Sequence, residues 1–204
     1  MGSVSLLLWD VGGVVLSNGW DHRARAAAAA RFGLDADELE RRHERVDAAF
    51  ETGRMDRRAY LDATVFYESR SFTPEAFWAF VCAQSVRNDP AYAVARSLRD
   101  GGRYTMAALN NESRELNEYR IRTFGLREVF HVFFSSCYTG RRKPDPDAYR
   151  YALALTDRAP DEALFLDDRP ENIAAAASLG LRTLEVRDPN RLAEALDRVG
   201  IAAG

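Results

Sequence analysis

The 204-residue sequence predicts an α/β fold: a parallel sheet flanked by helices, with a helical unit inserted near its start. Three observations carry that expectation. A short apolar segment at the N-terminus runs directly into a carboxylate, Asp10. The stretch 20–87 has helical spacing of its apolar residues and no strand alternation. Beyond Asp89-Pro90 strands and helices alternate, the pattern of a parallel sheet covered on both faces.

The elements follow in order. Residues 4–9 read as a short buried strand, and 11–19 as a tight turn with a small flap, where Gly12 and Gly13 permit backbone geometries that other residues resist. Helices are expected over 22–32, 37–50 and 56–66, with Gly53 breaking the pattern between the last two. A fourth starts sharply, with Thr73 as N-cap, Pro74 in the first turn and Glu75 behind it. Strands are expected at 103–109, 131–135, 163–166 and 182–186, and helices near 113–123, 145–155, 172–179 and 189–199. Gly180 sits where a helix should end. The sheet-forming part is thus 1–17 with 89–204, and the helical unit is 18–88.

Composition narrows the function. With 47% apolar and 29% charged residues, the chain can bury a sizeable core. A net charge of −3 with both signs dispersed argues against a nucleic-acid footprint or a basic membrane-binding face. Cys82 and Cys137 are too few for a disulfide framework and lack metal-ligand spacing, so two buried free thiols are expected. Neither a signal-peptide pattern nor an apolar run of about 20 residues is found, which points to the cytoplasm.

The chemistry gathers where strands end. Leu-Leu-Leu-Trp runs into Asp10, and Ala-Leu-Phe-Leu runs into Asp167-Asp168. Ligands of open parallel sheets collect beyond the carboxyl ends of the strands, at a topological switch point. Either acid alone reads as a helix cap, whereas a matched pair of strand ends does not. If the two strands are neighbours, three carboxylates crowd one crevice and need a cation. An all-oxygen donor set with no histidine nearby in sequence favours Mg²⁺ over zinc. A third strand ends in Asn110-Asn111, amides placed to meet a bound oxyanion. Finally, one of the 28 basic residues is a lysine, Lys143, set between Arg142 and Pro144. An ammonium is a compact point charge that fits between a carboxylate and a phosphoryl oxygen, where a planar guanidinium fits badly.

Together these segments resemble the four motifs of the haloacid dehalogenase superfamily. They are Asp10-Val-Gly-Gly-Val-Val, Leu109-Asn110-Asn111, Gly140-Arg-Arg-Lys143-Pro-Asp-Pro and Leu166-Asp167-Asp168-Arg-Pro-Glu-Asn172. The segment Phe50-Glu51-Thr52-Gly53-Arg54-Met55 resembles the Gly-containing turn of the superfamily's small helical cap. The resemblance implies a Rossmann-like core with an inserted four-helix cap. It also implies an Mg²⁺-dependent phosphatase acting on a small phosphorylated metabolite, a sugar phosphate among the candidates. In that reading Asp10 forms an aspartyl-phosphate, and Asp10, Asp168 and the carbonyl of Gly12 hold the metal with support from Asp167. Lys143 steadies the phosphoryl group, which Asn110 and Asn111 also bind. Trp20, His22 and Arg23 are candidate cap contacts to substrate, and a monomer or homodimer is expected.

Two positions depart from the family pattern. Gly12 stands where most of its phosphatases carry a second Asp as general acid, and Asn110 stands for a Ser or Thr. General acid–base help is typically worth 10²–10⁴-fold, so turnover should be slow. Two rival readings follow: a phosphate- or partner-binding protein with a degenerate site, and a metal-independent dehalogenase. A receiver domain is excluded by motif order, because there the acid pair ends the first strand.

Overall fold

The computed structural model describes residues 3–202. Strand β1 (Leu6–Trp9) is followed by helices α1 (His22–Phe32), α2 (Ala36–Glu51), α3 (Arg57–Thr64) and α4 (Pro74–Ala83). Then come α5 (Asp89–Asp100), β2 (Thr105–Ala108), α6 (Arg114–Thr123), β3 (Val132–Phe133), α7 (Ser136–Thr139) and α8 (Pro146–Thr156). The chain closes with β4 (Ala163–Asp167), α9 (Pro170–Ser178), β5 (Arg182–Glu185) and α10 (Leu192–Arg198). All strand pairs are parallel, in the order β3-β2-β1-β4-β5.

This is the expected α/β architecture with an inserted four-helix unit. β1 alternates across the sheet, as a strand with period two must. Leu7 and Trp9 join one apolar layer with α5 and α10, while Leu6 and Leu8 join the other with α8 and α9. Helices α1–α4 enclose a separate apolar cluster that includes Trp20, Phe50, Tyr60, Phe77 and Trp78. Thr73 caps α4 as expected, accepting from the Ala76 amide at 3.2 Å. Both cysteines are buried and free.

Several elements differ from the expectation. Helix α5 begins at Asp89-Pro90, where the sequence suggested no helix; Asn88 caps it, and Ala91, Ala95 and Leu98 bury one face. The third strand shrinks to two residues, because Ser135 leaves the sheet to start α7. The last helix begins as a single tight turn, Pro189–Arg191, before α10.

The chain enters and leaves the helical unit through two adjacent segments. Leu16 and Arg87 form an antiparallel bridge, the Ser17 amide donates to the Val86 carbonyl at 2.8 Å, and the Asn88 amide to Val15 at 3.0 Å. Arg120, from α6, fastens both crossings. Its Nε donates to Ser85 Oγ at 3.0 Å and its NH2 to the carbonyls of Ser17 and Asn18 at 3.3 and 3.0 Å. Its NH1 pairs with Glu112 Oε2 at 2.7 Å, and the Arg120 side chain is only 2% exposed. Removing one member of a buried pair leaves the other charge uncompensated, a cost of about 3–5 kcal/mol. Arg120→Met should therefore lose roughly that much stability in urea unfolding. Arg120→Met with Glu112→Leu should recover part of it; a double variant no better than the single would show that the linker contacts dominate.

Candidate active site

β1 lies between β2 and β4, and the strand order reverses beside it. Asp10 therefore projects from the end of β1 beside Asp167 and Asp168 at the end of β4. The three can bring one carboxylate oxygen each within 4.8 Å of one another. The turn after β1 permits this approach. Gly13 has φ +75°, and a Cβ there would stand 2.1 Å from Asp168 Oδ2.

Lys143 is the counter-charge. Its Nζ lies 3.0 Å from Asp10 Oδ1 and 2.6 Å from Asp167 Oδ2, and its side chain is 2% exposed. Asp167 has both oxygens engaged, since Oδ1 accepts from the Arg169 amide at 2.8 Å and from Asn172 Nδ2 at 3.0 Å. Asp168 is different: its Oδ1 is buried without a hydrogen-bond partner. A buried, unpartnered carboxylate oxygen beside two further carboxylates fits a hard cation, and all-oxygen donors suit Mg²⁺. Burial pushes Asp10 up to about 7; Lys143 opposes the rise, and Asp167 and Asp168 add to it. Burial and Asp167 also raise Asp168.

The motif asparagines are engaged elsewhere. Asn110 is buried, and its Nδ2 donates to Asn117 Oδ1 at 3.2 Å while Oδ1 accepts from Ser135 Oγ at 2.8 Å. These bonds tie the end of β2 to α6 and to the start of α7. Asn111 lines the crevice, but its side chain grips the Lys143 backbone, donating to the carbonyl at 2.8 Å and accepting from the amide at 2.9 Å. Both side chains position the site's frame.

The crevice has a volume of about 200 Å³. From the helical unit it receives Asn18, Trp20, Asp21, His43, Phe50 and Glu51. His22 and Arg23 are exposed and do not line it, because α1 buries Ala24, Arg25, Ala28 and Ala29 and turns its first residues outward. The 50–55 turn docks on the core. Gly53 (φ +71°) passes so close to Cys137 that a Cβ would stand 2.4 Å from its carbonyl oxygen, and Ser136 Oγ donates to the Glu51 carbonyl at 2.6 Å. Arg142 pairs with Glu51 at 2.9 Å and Asp47 at 3.2 Å, while burial pushes Glu51 up to about 7. His43 had no signal in the sequence as a site residue, whereas Arg169 lies within the quoted Leu166–Asn172 motif but was not singled out.

Two outcomes follow from this geometry. Mg²⁺ should raise the melting temperature, more at pH 8 than at pH 5 because it competes with the proton that burial favours on Asp10. Asp168→Ala should lose the effect, and an unchanged Mg²⁺ shift in that variant would count against the site. Lys143→Arg should impair the site nearly as much as Lys143→Ala, because a guanidinium does not fit between two carboxylates 3.0 and 2.6 Å away. Near-wild-type phosphate binding by the arginine variant would show that charge alone suffices.

Comparison with known proteins agrees with this architecture. Residues 4–180 match the family model described as haloacid dehalogenase-like hydrolase. Among curated proteins, a putative pyrophosphatase, PpaX, from Caldanaerobacter subterraneus subsp. tengcongensis is 33% identical over 102 residues, covering 50% of this chain and 46% of that protein. The chain spans less than half the length of this and other curated relatives. Among solved structures, the HAD family enzyme BT-2542 of Bacteroides thetaiotaomicron, in complex with magnesium and inorganic phosphate, aligns with TM-score 0.76 at 19% identity, covering 90% of this chain and 94% of that one. The L-2-haloacid dehalogenase PA0810 aligns with TM-score 0.65 at 19% identity over 90% and 84% of the two chains. No helix among the described residues is long and apolar enough to cross a membrane. By its family match over most of its length, the chain belongs to the haloacid dehalogenase-like hydrolases.

Proposed function

We propose that the chain is a phosphatase that removes phosphate from a small metabolite, with Asp10 as nucleophile. The core would be 1–17 with 89–204, and 18–88 the cap over its site. The observation that carries this reading is the unpartnered Asp168 Oδ1 beside Asp10 and Asp167, three carboxylates against one ammonium. That charge balance calls for a divalent cation and favours phosphoryl over metal-independent dehalogenase chemistry. Asp10, Asp168 and the Gly12 carbonyl would hold Mg²⁺, which when bound would neutralise charge on the phosphoryl oxygens.

The chain's own residues divide the remaining work. Asp10 Oδ1 accepts from the Val11 amide at 2.7 Å and faces Lys143, so the carboxylate plane is fixed before substrate arrives. Attack of Asp10 on phosphorus breaks the ester bond and leaves an aspartyl-phosphate, which water then hydrolyses. Lys143, held by Asn111 and Asp167, would keep the nucleophile oriented and lie beside the transferring group. Gly12 offers no proton to the leaving oxygen, which would take one from water or from the substrate's own hydroxyls.

A phosphate-release assay with Mg²⁺ over alkyl and aryl phosphates tests this. Wild type should turn over, aryl esters faster, and Asp10→Asn should be inactive; normal turnover by Asp10→Asn would sink the mechanism. Gly12 is free of a left-handed conformation, and a Cβ there would meet Asn18 Oδ1 at 3.3 Å, a contact a side-chain rotation relieves. Gly12→Asp should therefore fold and raise alkyl-ester hydrolysis, by up to ~10²-fold, more than aryl-ester hydrolysis. Unchanged rates on both in a stable variant would favour a binding-only protein.

A further inference from the structure

A second recess lies where the helical unit meets the sheet-forming part, and it shares no lining residue with the crevice. Its volume is about 480 Å³, within the range of small-molecule sites. From one side, α6 presents Glu115, Glu118, Tyr119 and Arg122. Their spacing of i, i+3, i+4 and i+7 puts them on one stripe of the helix. From the other side come Arg57 and Arg58 at the start of α3 and Trp78 on α4. Arg57 joins the two sides. Its backbone amide donates to Glu115 Oε1 at 2.9 Å, and its guanidinium lies over the Trp78 ring, 5.6 Å from the centroid.

The recess carries both signs of charge, and they do not neutralise one another. Among the described residues, none of Arg57, Arg122, Glu115 and Glu118 forms an ion pair, and Arg58 pairs with Asp62, which is not part of the recess. Glu115 Oε2 is buried without a hydrogen-bond partner. A carboxylate oxygen withdrawn from water with no donor costs free energy that an incoming ammonium would recover. Guanidiniums with no carboxylate of their own are in turn open to a bidentate contact with one from outside. A purely anionic ligand would be opposed by Glu115 and Glu118, and a purely cationic one by Arg57 and Arg122. A zwitterion matches both halves, and Tyr119 and Trp78 supply ring surface for an apolar group.

We propose that this recess is a second ligand site, for a free α-amino acid with an apolar side chain. The ammonium goes to Glu115 and Glu118, the carboxylate to Arg57 and Arg122, and the side chain lies along Tyr119 and Trp78. The bound amino acid bridges α3 and α4 of the helical unit to α6, the helix whose Arg120 fastens both chain crossings.

Calorimetric titration of the intact chain with phenylalanine and with leucine tests this. The N-acetyl derivative of each lacks the cation, and the amide of each lacks the anion. At least one of the two amino acids should bind, and loss of either charge should weaken it roughly ten-fold or more, the range of one hydrogen bond to a charged group. Glu115→Gln keeps an acceptor for the Arg57 amide; it should weaken the amino acid and leave the N-acetyl derivative unchanged. Arg122→Ala, at an exposed position, should weaken the amino acid and leave the amide unchanged. Inorganic phosphate with Mg²⁺, directed to the crevice, should not compete. No binding of either amino acid at millimolar concentration, derivatives that bind as tightly as the parent, either variant without effect, or displacement by phosphate with Mg²⁺ would each overturn the inference.

Discussion

The site is organised by an imbalance of charge. Asp10, Asp167 and Asp168 are held at adjacent strand ends, and Lys143 is the ammonium that meets two of them, at 3.0 and 2.6 Å. Like charges this close favour proton uptake or a bound cation, and burial raises Asp10 and Asp168 accordingly. Much of the surrounding structure serves to keep the group together. Asn111 clamps the Lys143 backbone, Asn172 and the Arg169 amide occupy Asp167, and the absence of a side chain at Gly13 lets the first turn lie against Asp168. Each of these contacts spends a polar group on positioning, and one carboxylate oxygen, Asp168 Oδ1, is left over.

The helical unit solves a different problem. It must cover a polar crevice without filling it, and it does so from a rigid aromatic core of its own. Its attachment is fixed at two places. Arg120 binds both chain crossings from beneath, and the 50–55 turn packs backbone to backbone on Cys137. Between those anchors lie the residues that face the crevice, so the wall's chemistry is set by α2 and by the segment leading into α1. His43, Asp21 and Glu51 there bring further polar groups to the crevice.

The family match and the shared fold establish a hydrolase scaffold that also supports dehalogenases and phosphate-binding enzymes among its structural relatives. Fold alone does not choose between those chemistries. The choice rests on side chains, and the proposed phosphoryl chemistry draws on Asp168 beside Asp167. Gly12 and Asn110 mark this chain as a departure from the family's usual pattern. The structure accounts for one of them, since Asn110 works as a strut between β2, α6 and α7.

The sequence by itself determined the strand–helix alternation, the inserted helices and the placing of Asp10 and Asp167-Asp168 at strand ends. These depend on local rules: apolar runs of strand length, caps such as Thr73-Pro74, and acids placed directly after strands. Tertiary structure alone decided which polar side chains face the crevice. Asn110 and Asn111 are adjacent and chemically identical, yet one is buried in a strut and the other grips the lysine loop, because successive residues leaving a strand point to opposite sides. His22 and Arg23 sit near the flap in sequence and face outward, while His43, twenty residues further on, comes to the crevice through the packing of α2 on Tyr60. Helix α5 carries local signals of its own, the Asn88 cap and Pro90 in its first turn, and buries Ala91, Ala95 and Leu98 against the sheet. Local pattern fixes where carboxylates end up on strands; long-range packing fixes what stands across from them.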